Sequence, residues 1–541
     1  MGLPTAELVL RNGRVWCGLQ EGSVEAVAVW AGRVLATGSN AEIEPLIGPA
    51  TKVIDLEGRL ATPGLNDAHL HLLPLGLAMA DIDARPAAAP TLEILLGKFR
   101  EAAARAKPGQ WLMGRGYDHS KLDVGRHPLR EELDAAAPDN PVYLVRTCGH
   151  VAVANSMALE LAGIDEDTLS PPGGLIERRD GRLTGLLAEH GRDAVKAVLP
   201  EPSDEELVAA IERAGQYCLS LGVTSVMDAA VGMRSGFREI RAYNEARRSG
   251  RLPVRTYQCL LGGEGGIVEQ AYEAGLVSGA GDDMLMVGCV KIFTDGSAGG
   301  KTAAMSEPYL GDPDNRGILC LTDEQVDAHV MDYHAKGYQL AIHAIGDVAI
   351  EQVLRAYEKA LAAHPAPGRR HRIEHCGFLS EGQMARMKAL GIEPVPQPVF
   401  IWDFGDLYLE VVGEERSAAS YPMRRWQSMG MVAAASTDAP VCDVDPFPNL
   451  YTMVTRRSAG GAVIGGEERL ELAEALSAYT LSGAFVSHCE DRKGRLVPGQ
   501  LADIAVFSRD MLAGEPEAIL ETRCDLAILG GSVAYDRHGE A

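Results

Sequence analysis

The 541-residue sequence predicts an α/β fold, a (β/α)8 TIM barrel carrying a small β-sandwich domain built from both chain ends. Three observations predict it. Short apolar strands separated by turn dipeptides fill the beginning of the chain and return at its end. Between them, amphipathic helices alternate with short apolar strands, the pattern of a parallel sheet. Eight of those strands end in polar or metal-capable residues, and a closed barrel gathers such ends at one face. The composition agrees: 46% apolar and 23% charged residues with 60 Gly and 29 Pro describe an ordinary globular chain and exclude a disordered, collagen-like or coiled-coil one.

Taken in order, residues 7–11 and 14–17 flank Asn12-Gly13, the strongest short hairpin signal. Residues 26–30 and 34–37 flank Ala31-Gly32, and residues 52–56 and 60–62 flank Glu57-Gly58. Small isolated hairpins are marginal in water, so residues 1–62 need a partner. The partner is the last segment, 485–541, with strands at 502–507, 526–529 and 533–535, the last two around Gly530-Gly531. Residues 63–484 form the barrel, with strands at 65–71, 223–228, 254–260, 287–293, 339–343, 371–375, 392–397 and 431–436. Ser203-Asp-Glu-Glu206 and Thr322-Asp-Glu-Gln325 are capping boxes that open helices between them. The stretch from about 75 to 200 breaks the alternation and reads as an insertion after the first strand, expected to cover the mouth of the barrel.

Charge and cysteines narrow the function. A formal net charge of −24 excludes a nucleic-acid binder, whose phosphate contacts need clustered Lys and Arg, and disfavours an anionic membrane surface. No apolar run approaches the ~20 residues of a membrane helix, and no signal peptide is visible at the start. Ten cysteines scattered without a CxxC pair read as reduced thiols, hence a cytoplasmic location.

The chemistry-bearing residues lie at the strand ends. His69 and His71 stand at i and i+2 of a strand, on one face, where each offers an imidazole nitrogen to a metal. His343 and His375 close two other strands, and Asp438 follows the last. Each alone has a bland reading: polar strand ends, a core histidine, an aspartate capping a turn. Barrel closure points all of them at one axial site. Lys291 sits in Met286-Val-Gly-Cys-Val-Lys-Ile-Phe293, where burying an ammonium is costly. Either it pairs with a neighbour such as Asp295, or burial and nearby cations depress its pKa until the amine captures carbon dioxide as a carbamate bridging two metals.

Pro63-Gly-Leu-Asn-Asp-Ala-His-Leu-His71, Lys291-Ile-Phe-Thr-Asp-Gly-Ser297, His343-Ala-Ile-Gly-Asp347, Arg372-Ile-Glu-His375 and Ser436-Thr-Asp-Ala-Pro440 resemble the amidohydrolase superfamily. The branch is that of the metal-dependent hydrolases that include N-substituted formamide deformylases. The likeness extends through Gly114-Arg-Gly-Tyr-Asp118, Gly149-His-Val-Ala-Val-Ala-Asn-Ser156 and Gly494 to Ile504. It implies a composite sandwich, a barrel and a centre of two divalent ions held by His69, His71, His343, His375, the Lys291 carbamate and Asp438. Zinc is the default ion, with Mn, Co or Fe compatible with the same donors. It further implies that hydroxide attacks the C–N bond of an amide or formamide-like, possibly cyclic, small molecule, with Asp438 shuttling the proton to the leaving nitrogen.

Two alternatives remain at this point. A deaminase of the same superfamily uses one metal and typically lacks the bridging lysine; a non-catalytic regulator would have kept only the barrel. The substrate is less legible. Trp111, Tyr117, Asp118, His119, His150 and Asn155 in the insertion, with Gln397, Phe400, Trp402 and Tyr309, are the candidates for walls and hydrogen bonds around a small molecule. Of these, Trp111, Asp118, His119, His150, Gln397 and Trp402 are the substrate-binding expectation. A homodimer is the assembly left open.

Overall fold

Four sheets carry the fold in the computed structural model, which describes residues 5–119, 121–146, 151–171 and 174–539. The chain divides into two compact units, Met1–Leu75 with Ile211–Ala541, and Gly76–Ala210. In the first unit seven parallel strands lie side by side in chain order: Leu65–Leu70 (β1), Val223–Val231 (β2), Arg255–Leu261 (β3), Leu285–Phe293 (β4), Gln339–Ala344 (β5), Arg372–His375 (β6) and Glu393–Val395 (β7). They are buried along nearly their whole length, as parallel strands covered on both faces must be. Helices such as Asp323–Ala335, opened by the Thr322/Gln325 capping box, alternate with them.

The eighth expected strand, residues 431–436, does not form. Residues 434–439 instead run irregularly between β7 and β1, bonded to both edges. Ala434 N donates to Pro394 O (3.4 Å), Ala68 N to Ala435 O (3.3 Å), Asp438 N to His69 O (2.8 Å) and His71 N to Ala439 O (2.7 Å). Alanine has little preference for a pleated strand, and Asp438 takes a left-handed φ of 59°, which ends any extended run. The barrel is therefore nearly closed, by seven strands and an irregular strap.

Both chain ends contribute to a second pair of sheets. One has the order Arg33–Gly38, Ala26–Trp30, Leu8–Arg11, Lys52–Asp55. The other has the order Ser532–Asp536, Cys524–Leu529, Ile504–Phe507, Leu60–Pro63, Arg14–Gly18, Gly22–Val24, so C-terminal strands pair directly with an N-terminal one. Leu8, Leu10, Val27 and Val29 from the first sheet share one apolar cluster with Val15, Ala61, Ile504, Val506 and Ile528 from the second. Ala31-Gly32 and Gly530-Gly531 turn true hairpins. Asn12-Gly13 and Glu57-Gly58 do not. Their flanking strands fall in different sheets, because Leu8–Arg11 pairs in parallel with Lys52–Asp55 and Arg14–Gly18 with Leu60–Pro63. The two turns are corners that cross closely: a Cβ on Gly13 would meet Arg59 O at 2.5 Å.

The unit Gly76–Ala210 has its own six-stranded mixed sheet, ordered Gly174–Arg179, Arg182–Glu189, Val151–Ala154, Val142–Arg146, Leu112–Tyr117, Ile82–Asp83. Side-chain alternation divides it into two cores. Val142 and Leu144 pack with Leu95 and Phe99 of the helix Leu92–Arg105, while Tyr143 and Val145 pack with Leu159 and Val195. Among the described residues, no helix is long and apolar enough to cross a membrane.

Candidate metal centre

The site begins with Asp67. Its buried carboxylate accepts from His69 N (3.1 Å), Thr437 N (3.2 Å) and Thr437 Oγ1 (2.6 Å), which stitches β1 to the irregular strap beside Asp438. Burial pushes the Asp67 pKa up to about 7.

Each histidine is oriented by what its outward nitrogen touches. Nδ1 of His69 meets Glu374 Oε2, Nδ1 of His71 meets Ala229 O at 2.7 Å, and Nδ1 of His375 meets Gln397 Oε1 at 2.6 Å. The Gln397 amide nitrogen donates to Ser436 Oγ (3.0 Å), whose own hydroxyl donates to Pro396 O (2.8 Å), so the Gln397 oxygen faces the ring. All three partners are acceptors, so Nδ1 carries the proton and Nε2 is left with a lone pair. His343 is reversed: its Nε2 donates to Gly296 O at 3.0 Å, leaving Nδ1 as the donor atom available to a cation.

These free atoms converge. His69, His375 and Asp438 each offer one ligand atom within 4.8 Å of the others. Nε2 of His71 and of His69 lie 3.2 and 3.3 Å from Asp438 Oδ1, yet that oxygen is buried without a hydrogen-bond partner among the described residues. The His343 and His375 rings are 4.3 Å apart, and Lys291 Nζ is 3.3 Å from His69 Nε2. Lone pairs facing one another in a dry site repel unless a cation lies among them. This donor set, three Nε2 atoms and an orphaned carboxylate oxygen with a fourth imidazole beside them, fits a divalent metal.

Electrostatics agree. Burial works against the ionised Asp438, and only positive charge or N–H donation at His69 and His71 would hold its pKa well below the usual carboxylate range; with neutral rings turning lone pairs towards it, that charge falls to a cation among them. Burial, and then His343, keep His375 far below the ordinary histidine value, so it is neutral as a ligand must be. Burial also lowers the Lys291 pKa, with Glu374 and Asp438 pulling the other way.

Of the six residues expected to gather at the strand ends, His69, His71, Lys291, His343, His375 and Asp438, all lie in this cluster. The alternative pairing of Lys291 with Asp295 does not form. Asp295 accepts instead from the backbone N–H groups of Ala304 (2.9 Å), Ile345 (3.0 Å) and Gly346 (2.9 Å), with His343 Nε2 at 3.2 Å.

The expected substrate residues divide differently. Gln397 is buried, and its amide accepts from His375 and donates to Ser436. Trp402 packs edge-on against Tyr451, and Phe400 stacks on His375. Tyr309 is buried, its hydroxyl donating to Ala303 O. In the other unit, Trp111 packs on an apolar core, Asp118 accepts from Arg146 at 3.1 Å, His119 accepts from Arg146 at 3.1 Å and stacks on His127, and Asn155 caps the helix Ser156–Leu161. His150 lies outside the described residues. Sequence reasoning gave no role to Glu374, Arg372 or Asp67, and gave Asp295 a different one. For the first two a signal existed: two opposite charges at i and i+2 of a strand that is otherwise wholly buried.

Residues 52–535 match the family model described as Amidohydrolase family. The chain is similar to Protein LONG AFTER FAR-RED 3 of Arabidopsis thaliana, at 33% identity over 524 residues, 93% of this chain and 87% of the relative. It is also similar to N-substituted formamide deformylase of Arthrobacter pascens, at 29% identity over 526 residues, 95% of each chain. Among solved structures, an uncharacterized metal-dependent hydrolase from Pyrococcus horikoshii aligns with a TM-score of 0.77 at 29% identity, over 94% of this chain and 99% of that one.

Proposed function

From the premise that the chain belongs to the amidohydrolase family, we propose that it is a metal-dependent hydrolase cleaving the C–N bond of an amide or formamide-like small molecule. The observation that carries this reading is Asp438 Oδ1, a buried carboxylate oxygen without a hydrogen-bond partner among the described residues, with Nε2 of His69 and His71 facing it at 3.3 and 3.2 Å.

His69, His71, His343, His375, Lys291 and Asp438 would hold two divalent ions, zinc by default. These would act as Lewis acids on the scissile carbonyl and on the attacking water. Lys291, buried and shifted toward its neutral amine, would add to carbon dioxide through Nζ with loss of a proton, and the resulting carbamate would be an anionic ligand for the ions. Asp438 Oδ1 takes a proton from the water and delivers it to the leaving nitrogen, which must depart as a neutral amine. Asp67 and Thr437 keep that carboxylate in register with His69. Phe293, whose ring lies 4.9 Å from Lys291 Nζ, and Phe400, stacked on His375, present apolar surface that keeps bulk water from the donors. The fold reading that goes with this function takes the two terminal sheets as one sandwich and the strap at 434–439 as the eighth barrel position. The partner is a small molecule, and a homodimer is the proposed assembly. The net charge of −24 supports the exclusion of nucleic acid, and free thiols at the described cysteines support a cytoplasmic location.

The test is a screen of N-acyl amines, N-formyl amines, cyclic amides and aromatic amines on the metal-loaded protein, reading free amine, acid and ammonia separately. Amine and acid in equal amounts support hydrolysis. Ammonia with the matching oxo compound, released from aromatic amines alone while the amides stay intact, would overturn it in favour of deamination.

A further inference from the structure

The three histidines that present Nε2 differ in what holds Nδ1. His71 rests on a backbone carbonyl and His375 on a neutral amide, whereas His69 rests on Glu374, a carboxylate. Glu374 is in turn gripped by Arg372, whose Nε donates to Oε1 at 2.7 Å and whose Nη2 donates to Oε2 at 2.9 Å. Arg372 Nη2 also donates to Ala68 O at 2.8 Å, the peptide just before His69. All three side chains are fully buried. The two charges are two residues apart on β6 and face the barrel interior, where neither meets water. A buried ion pair of this kind is a poor source of stability, since desolvating both charges offsets their attraction. Its value lies in what it fixes. The bidentate fork holds the carboxylate in one plane, the carboxylate fixes the plane and tautomer of His69, and the bond to Ala68 O ties the same arginine to the histidine's own strand.

We infer that Glu374, locked by Arg372, is a positioning residue that commits His69 to the Nε2-donor tautomer and aims it at the metal centre, so that divalent-ion retention depends on this pair. The inference rests on the proposed metal site. A carboxylate on the outer nitrogen also makes the inner nitrogen a stronger donor, which separates His69 from the two histidines with neutral partners.

Removing one partner alone would strand a buried charge, a strongly destabilising change, so both are changed together. In Glu374→Gln with Arg372→Met, an acceptor remains for Nδ1 but the charges are gone; in Glu374→Leu with Arg372→Met, the acceptor is gone as well. Affinity for Zn2+ alone is read by competition with a chromophoric chelator, and thermal unfolding checks the fold. The expected losses are about tenfold with Gln and about a hundredfold with Leu, the span for outer partners of metal-bound histidines. Wild-type affinity in both folded variants overturns the inference, while a wild-type protein that binds no ion overturns the proposed metal site instead. Should the variants not fold, the zinc-loaded wild-type protein decides. In a 15N-histidine spectrum, with His69→Ala identifying the signals, His69 Nδ1 is expected to carry a proton in a strong hydrogen bond. An unprotonated Nδ1 overturns the assignment.

Discussion

Asp67 reaches across the one gap in the strand pairing of the barrel to Thr437, taking both its hydroxyl (2.6 Å) and its backbone N–H (3.2 Å) on one carboxylate. The contact adds to the backbone bonds between the strap and β1, and it fixes the residue adjacent to Asp438. Thr437→Val removes the hydroxyl and leaves a buried carboxylate oxygen unsatisfied. The expected cost is about 1–3 kcal/mol in urea unfolding, together with a fall in turnover. Unchanged stability and turnover would show that the strap is held by its backbone bonds alone.

Asp438→Asn separates proton transfer from metal retention. The amide keeps an oxygen among the imidazoles but cannot take a proton. The expected outcome is a kcat reduced at least about 100-fold with most of the bound ion kept, as measured by elemental analysis beside steady-state kinetics. Near-normal turnover would place the proton shuttle elsewhere.

Gly346 is confined by backbone. A Cβ there would lie 1.9 Å from Ala304 O, and Gly346 N donates to Asp295, the carboxylate beside His343. Gly346→Ala must push the Ala304 loop away and loosen the Asp295 clasp. We expect a loss of about 1–3 kcal/mol by thermal or urea unfolding, with weakened retention of one of two ions. A variant as stable as wild type would mean that the loop shifts freely.

A second histidine pair sets an acid limit on stability. His371 Nδ1 accepts from Leu340 N (3.0 Å), so its Nε2–H donates to His334 Nδ1 (2.9 Å), and His334 Nε2–H donates to His364 O (2.7 Å). Tyr357 stacks on His371 at 4.9 Å. Burial, followed by the charges of His334 and Arg369, holds the His371 pKa well below its ordinary 6.5. The unfolded histidine binds a proton below about pH 6.5 and the folded one does not, so this stability is complete above that pH. It is lost as pH falls through the window beneath, by up to about 1.4 kcal/mol per pH unit. Urea unfolding between pH 7.5 and 5 is expected to fall more steeply for the wild type than for His371→Gln. Equal slopes would contradict the account.

The legibility of this chain in its sequence follows the range of each interaction. His69 and His71 declare themselves because strand alternation puts them on one face, and His343 and His375 because each ends an apolar strand. The turns at Asn12-Gly13 and Glu57-Gly58 were legible as turns but not as corners. The same left-handed φ, 62° at Asn12 and 51° at Glu57, serves either, and the choice is made by the parallel pairings of Leu8 with Lys52 and of Arg14 with Leu60. The strap at 434–439 was misread for a similar reason: its alanines say little, and Asp67, which holds it from the adjoining β1, is 370 positions earlier in the chain. Glu374 could be suspected as a buried charge, but His69, its partner, is 305 positions earlier in the chain.

Anomalous diffraction from crystals of the metal-replete protein tests the central claim most directly. The account predicts ion peaks within about 2.0–2.2 Å of Nε2 of His69, His71 and His375, of Nδ1 of His343 and of an Asp438 oxygen, with density for a carboxylate on Lys291 Nζ between them. A protein replete with metal elsewhere, with no peak among these residues and Lys291 a plain ammonium turned away from His69, would contradict it.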